Sequence, residues 1–256
     1  MMQQRSITVV KIGGNVVDNP ASLQRFVEAF AALEGEKILV HGGGKEATRL
    51  AEKMGLEVKM VDGRRITDRE MLEIATMVYA GTVNKRIVAA LQAAGCNAIG
   101  LSGADADAVR ARRRSPEPID FGFVGDIESV AAGRLSMLLG AGLTPVFSAI
   151  MHDGAGTLLN CNADSVASAV AVGMSGTAAT RLVYCFEKEG VLDAEGRVIG
   201  EITEGDFERL KADGTVNSGM IPKIENALKA VAKGVQSVTI KSAEALTDAD
   251  AGTVIH

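Results

Sequence analysis

The sequence predicts an α/β protein: a mainly parallel, open sheet with helices on both faces, and a β-hairpin excursion near residues 105–130. Three observations predict it. Short β-branched runs alternate with amphipathic helical patterns along the chain. Two glycine clusters, Gly13-Gly14 and Gly42-Gly43-Gly44, each stand between a strand pattern and a helix pattern. The stretch 105–130, with "RARRR", two prolines and "FGFVGDIESV", breaks the alternation and reads as a hairpin.

Taken in order, "SITVVKI" (6–12) is a strand, and Leu23, Phe26, Val27 and Phe30 share one face of a helix opening at Pro20. "KILVH" (37–41) is a buried strand, with a helix from Gly44. A long helix follows Thr67, its expected N-cap, with Leu72, Tyr79, Val83, Ile87 and Leu91 on one stripe. "NAIGLS" and "TPVFSA" are further strands, and "ADSVASAVAVGM" (163–174) is a helix. "RLVYCF" (181–186) leads into a turn-rich hairpin, helices begin near 203 and 221, and "SVTI" (237–240) is one more strand.

At 256 residues the chain can bury a large core. A net charge of −5 excludes general affinity for nucleic acid, which needs excess basic residues against the phosphates. No apolar stretch reaches the ~20 residues that span a bilayer, so no membrane partner is expected. The start "MMQQRSITVVKI" runs almost directly into a strand, leaving no room for a signal peptide. Cys96, Cys161 and Cys185 lack CxxC spacing and read as reduced thiols; the expected location is cytoplasmic. The three histidines lack metal-ligand spacing, and no protein metal site is expected.

The chemistry is expected beyond the carboxyl ends of the strands, where open α/β sheets bind ligands. "LVHGGGKE" is not a P-loop, because its glycines are consecutive. Gly13, Gly14, Gly43 and Gly44 stand either in tight turns or in backbone cradles for an anion, backed by helix N-termini. Lys11 ends the apolar strand face of Ile7 and Val9, as a snorkelling strand end or an anion ligand. Lys223 falls in the first turn of its helix, where the dipole disfavours a cation unless an anion is shared. Asn160, Asn162 and Asp164 alternate up to a helix start, so Asp164 or Asn162 caps that helix or serves the site. "GAGTLL" lacks the third glycine of a Rossmann fingerprint.

Together "VVKIGGN", "VHGGGKE", "RRITD", "VNKRIVAAL", "GLSGADAD", "GFVGDIESV", "LLNCNADSVA" and "GMIPKIENAL" resemble, in order, the amino acid kinase family in its acylglutamate branch. The resemblance implies the amino acid kinase fold and phosphorylation of the side-chain carboxylate of N-acetyl-L-glutamate by ATP with Mg²⁺, in arginine biosynthesis. It implies that Lys11 and Lys223 stabilise the phosphoryl group in flight, with Asp164 holding both ammonium groups. Gly43 and Gly44 would present amides to that group, Gly13 and Gly14 would bind phosphate, and Arg65 and Asn160 would hold the acceptor. It further implies an acceptor and dimerisation lobe (1–175), an ATP lobe (176–256), and a homodimer, since the extra N-terminal helix of arginine-inhibited hexamers is missing. "FEKEG" (186–190) departs from the family where nucleotide contacts belong. Arg64 stands where relatives carry an apolar residue; it either points to solvent or pairs the extra carboxylate of N-succinyl-L-glutamate. The rival expectations are a carbamate or aspartate kinase and a non-catalytic ligand-binding member of the fold.

Overall fold

A computed structural model of the chain describes residues 5–61, 63–216 and 220–256. The start "MMQQ", Asp62 of "VDGRRITD" and the opening of "NSGMIPK" lie outside the described residues. In chain order the elements are β1 (Ser6–Ile12), α1 (Gly14–Asp18), α2 (Pro20–Ala32), β2 (Glu36–His41), α3 (Gly44–Lys53), β3 (Met60–Val61) and β4 (Arg64–Arg65). Next come α4 (Arg69–Thr76), a π-helical turn (Met77–Val83), α5 (Asn84–Ala93), β5 (Ala98–Leu101), β6 (Val109–Arg113), β7 (Gly125–Val130) and α6 (Ala132–Gly140). The chain continues with β8 (Thr144–Phe147), β9 (Ile150–His152), β10 (Leu158–Asn160), α7 (Ala163–Ser175), β11 (Ala179–Phe186) and β12 (Glu201–Ile202). It closes with α8 (Glu204–Ala212), α9 (Ile221–Ala232), β13 (Ser237–Ser242) and β14 (Thr253–Ile255).

The main sheet has the order β12-β14-β13-β11-β1-β2-β8-β5. Pairings from β13 to β5 are parallel, whereas β14 runs antiparallel to β13 and β12 pairs parallel with β14. After β1 the chain lays down β2, then β5 at the edge and β8 between them, and then returns to the other side of β1 as β11 and β13. The order therefore reverses at β1, which is where a parallel sheet opens a crevice at its carboxyl edge.

Alternation along β1 divides the core. Ile7 and Val9 face one cluster with Val166, Val170 and Met174 of α7 and Ile224 of α9. Val10 and Ile12 face another with Phe26 and Phe30 of α2 and Ile87 and Leu91 of α5. Full burial of each such side chain contributes about 1.5–3 kcal/mol. Because side chains alternate with period two, Lys11 shares the Ile7/Val9 face and looks toward α7 and α9.

The long helix expected after Thr67 is present, but its cap is Asp68, whose side chain accepts from the Met71 amide. The physical reason is local: Thr67 is fully buried and its hydroxyl donates to the Arg65 carbonyl instead. The helix also departs from regular α geometry in its π turn, which no periodicity argument anticipated. The hairpin is β6 with β7, antiparallel with an irregularity between Arg110 and Ala111. It belongs to a second sheet, β10-β9-β6-β7. "GAG" of "GAGTLL" is the turn joining β9 to β10, with Gly154 and Gly156 at φ of 76° and 98°, which explains glycines there without any ligand. No helix among the described residues is long and apolar enough to cross a membrane.

Candidate active site

Three strand ends meet at the crevice: β1 with Lys11 to Gly14, β2 with Gly42 to Gly44, and β11 with Phe186 to Lys188. Together with Met220 and Lys223 at the start of α9 they line a cavity of about 580 Å³. The helices that open there, α1 at Gly13 and α3 at Gly43, have no side-chain cap. Their first-turn amides are thus left for a bound anion. The cations Lys45 and Lys188 also border the cavity, with Glu187 as its carboxylate.

Lys11 is almost wholly buried, and its ammonium meets an Asp164 carboxylate oxygen at 2.7 Å. Asp164 lies in the first turn of α7, where its charge also suits the helix dipole. The cap itself is Asn162, which accepts from the Ser165 amide, so the two alternating polar residues divide the work. Lys223 sits with its Nζ 3.7 Å from the centre of the Phe186 ring, while Lys11 lies 5.0 Å from the same centre. Burial holds the Lys223 pKa below its ordinary value; Asp164 opposes that, and Lys11 and Lys188 add to it. Among the described residues Asp164 is ion-paired with Lys11 and with no other lysine, so the grip expected on both ammonium groups is direct for Lys11 only. Phe186, part of the departing "FEKEG", is thus a platform for both cations.

A smaller cavity, about 190 Å³, lies on the other side of the glycine turn. Gly42, Gly43, Gly44 and Ala163 border both cavities. The smaller one adds Arg65, Asn160, Arg64, Arg114 and Asp126. Arg65 is buried, and its Nη2 donates to the Gly44 carbonyl (2.9 Å) and to Thr48 Oγ1 (2.8 Å). Asn160 Nδ2 donates to Thr67 Oγ1 at 3.0 Å, which ties β10 to the Arg65 strand. The hairpin completes the wall: Gly122 packs so closely on Thr67 that a Cβ there would meet the Thr67 carbonyl oxygen at 2.2 Å.

Arg64 is exposed where Arg65 is buried, as alternation in β4 requires, yet it borders the same cavity. Its field helps hold the Asp126 carboxyl below its usual range, an effect led by the hydrogen bond from Arg114. Arg114, the last residue of the "RARRR" run, is ion-paired with Asp126 at the cavity, and sequence alone carries no signal that separates it from the run. His41 is fully buried between the Gly42 carbonyl and Asn84; burial pushes its pKa down to about 4, so it is a neutral prop under the glycine turn.

An anion-binding crevice with one lysine at a strand end and one at a helix start, two glycine turns and an arginine-lined side pocket is thereby defined. The chain belongs to the amino acid kinase family, whose model matches residues 6–242. It is 49% identical over 248 residues to the acetylglutamate kinase of Bacteroides thetaiotaomicron, covering 96% of each chain. It is 51% identical over 248 residues to that of Cytophaga hutchinsonii, covering 95% of this chain and 94% of the other. A solved protein of Streptococcus mutans superposes with a TM-score of 0.80 at 28% identity, covering 97% of this chain and 98% of the other.

Proposed function

We propose that the chain transfers the γ-phosphoryl group of ATP to the side-chain carboxylate of N-acetyl-L-glutamate. The products are the acyl phosphate and ADP, a step of arginine biosynthesis. One observation carries this reading: the turn Gly42–Gly44 borders both cavities, so a nucleotide in the larger and a small carboxylic acid in the smaller would meet across it. The acetylglutamate kinases to which the chain is similar support the same acceptor.

The transfer forms a P–O bond to the acceptor carboxylate and breaks the P–O bond to ADP, and it demands positioning and charge neutralisation above all. Lys11 and Lys223 approach from β1 and α9, with Asp164 orienting Lys11. The amides of Gly13 and Gly14 serve the donor phosphates, and those of Gly43 and Gly44 the group in flight. Arg65 and Asn160 hold the acceptor. Mg²⁺ would screen the phosphate charge. Among the described residues no cluster of three or more His, Cys, Asp or Glu could hold a metal ion. In this reading phosphate oxygens and water would supply its ligands.

The lobe division at 175/176 is part of the proposal, supported by the ATP-side strands β11 to β14 forming one half of the sheet. So is a homodimer joined through the long helix, where Met77 is exposed. Hydrogen exchange with and without ATP should protect 176–256 more than 1–175, and sedimentation should give twice the chain mass; a monomer would end the dimer proposal. A cytoplasmic location fits the three free, buried cysteines.

A coupled ADP-release assay across N-acetylglutamate, N-succinylglutamate, carbamate and aspartate tests the reaction. Turnover with N-acylglutamate alone is expected, and none with it would overturn the proposal. Arg64 at the cavity supports a second reading with the succinyl acceptor. On that reading Arg64→Leu shifts the succinyl-to-acetyl ratio of kcat/KM by about 1.5–3 kcal/mol, the range for hydrogen bonds to charged groups. An unchanged ratio makes Arg64 surface charge.

A further inference from the structure

The π-helical turn is the feature that the proposed reaction leaves unexplained, and it carries Tyr79. Such turns are uncommon and occur often at functional sites. Tyr79 is 6% exposed. Its ring lies flush against the glycine turn: a Cβ at Gly43 would stand 2.6 Å from Cδ1 and 3.1 Å from Cε1. That close approach of the Tyr79 ring leaves no room for a side chain at Gly43. The Tyr79 hydroxyl and the Arg65 Nη2 converge on the glycine turn, 3.7 Å and 3.8 Å from where a Gly44 Cβ would stand.

The chemistry of the two groups is complementary. A guanidinium has donors only, so toward Arg65 the Tyr79 oxygen can only accept, and its own proton remains to be given. Burial raises the Tyr79 pKa, so the phenol keeps that proton at neutral pH. Tyr79 borders the smaller cavity together with Arg65 and Asn160.

We propose that Tyr79 is an acceptor-binding residue: its O–H donates to the carboxylate of the acyl amino acid that Arg65 holds, while its ring sets the position of the Gly43–Gly44 turn. The proposal rests on the acceptor occupying this cavity. It gives the π turn a purpose, because the widened turn carries Tyr79 between the glycine turn and Arg65.

The test is Tyr79→Phe, which keeps the ring against Gly43 and removes only the hydroxyl. The acceptor KM should rise about tenfold to a hundredfold, as for a lost hydrogen bond to a charged group, with kcat and the ATP KM within twofold of wild type and the melting temperature little changed. An unchanged acceptor KM overturns the proposal, and so does a fall in kcat with a matching rise in the ATP KM, since that marks general loosening of the site. Wild type measured alongside separates the two ideas. If it turns over N-acetylglutamate and Tyr79→Phe behaves identically, only the role of Tyr79 fails. If it turns over no N-acylglutamate, the proposed reaction fails first.

Discussion

Lys11→Ala and Lys223→Ala should each lower kcat by about 10²–10³-fold, the usual cost of removing one preorganised donor from a site of developing charge. The acceptor KM should move far less. Both ammonium groups lie within 5.0 Å of the Phe186 ring centre and line the larger cavity, so neither is placed to grip the acceptor that Arg65 would hold in the smaller one. Their attraction is strongest when the phosphoryl group lies between oxygens, and an interaction made only then lowers kcat and kcat/KM together. Lys11→Ala also leaves Asp164 without its 2.7 Å partner, so the melting temperature must be followed to separate misfolding from lost chemistry. Steady-state kinetics of the folded variants is the measurement, and a near-normal kcat would remove that lysine from the mechanism.

Asp164→Asn should cost about 10²-fold in kcat and should also move the pH profile. Asparagine preserves the shape of α7's first turn but removes the charge that sets Lys11. The same charge offsets the burial of Lys223, whose pKa is already lowered by desolvation and by its neighbours Lys11 and Lys188. Without the carboxylate the Lys223 pKa falls further. The cation then loses its proton at lower pH, and the alkaline limb of kcat should shift toward neutrality. Profiles for wild type and variant, taken at saturating acceptor and nucleotide, decide it. A limb that stays in place would mean that Asp164 acts on Lys11 alone, and an unchanged kcat would discard it altogether.

What the sequence determined by itself was everything that repeats locally. Period-two alternation placed β1 at Ser6–Ile12 and put Lys11 on the face of Ile7 and Val9, and the helical stripe from Leu72 to Leu91 is buried as expected. The glycine clusters mark the ends of β1 and β2 because strand-to-helix turns at a crevice leave a chemical signature in the chain. Only the tertiary structure decided the rest. Thr67 looked like a cap, but a hydroxyl has several possible partners, and burial beside Arg65 gave it a different one, leaving the cap to Asp68. Arg114 is indistinguishable in sequence from Arg112 and Arg113, and the fold of the hairpin alone brings it to Asp126. Phe186 under two lysines and Tyr79 against Gly43 are contacts between segments far apart in the chain. No local propensity encodes such pairs, because their energy exists only once the sheet has brought the segments together.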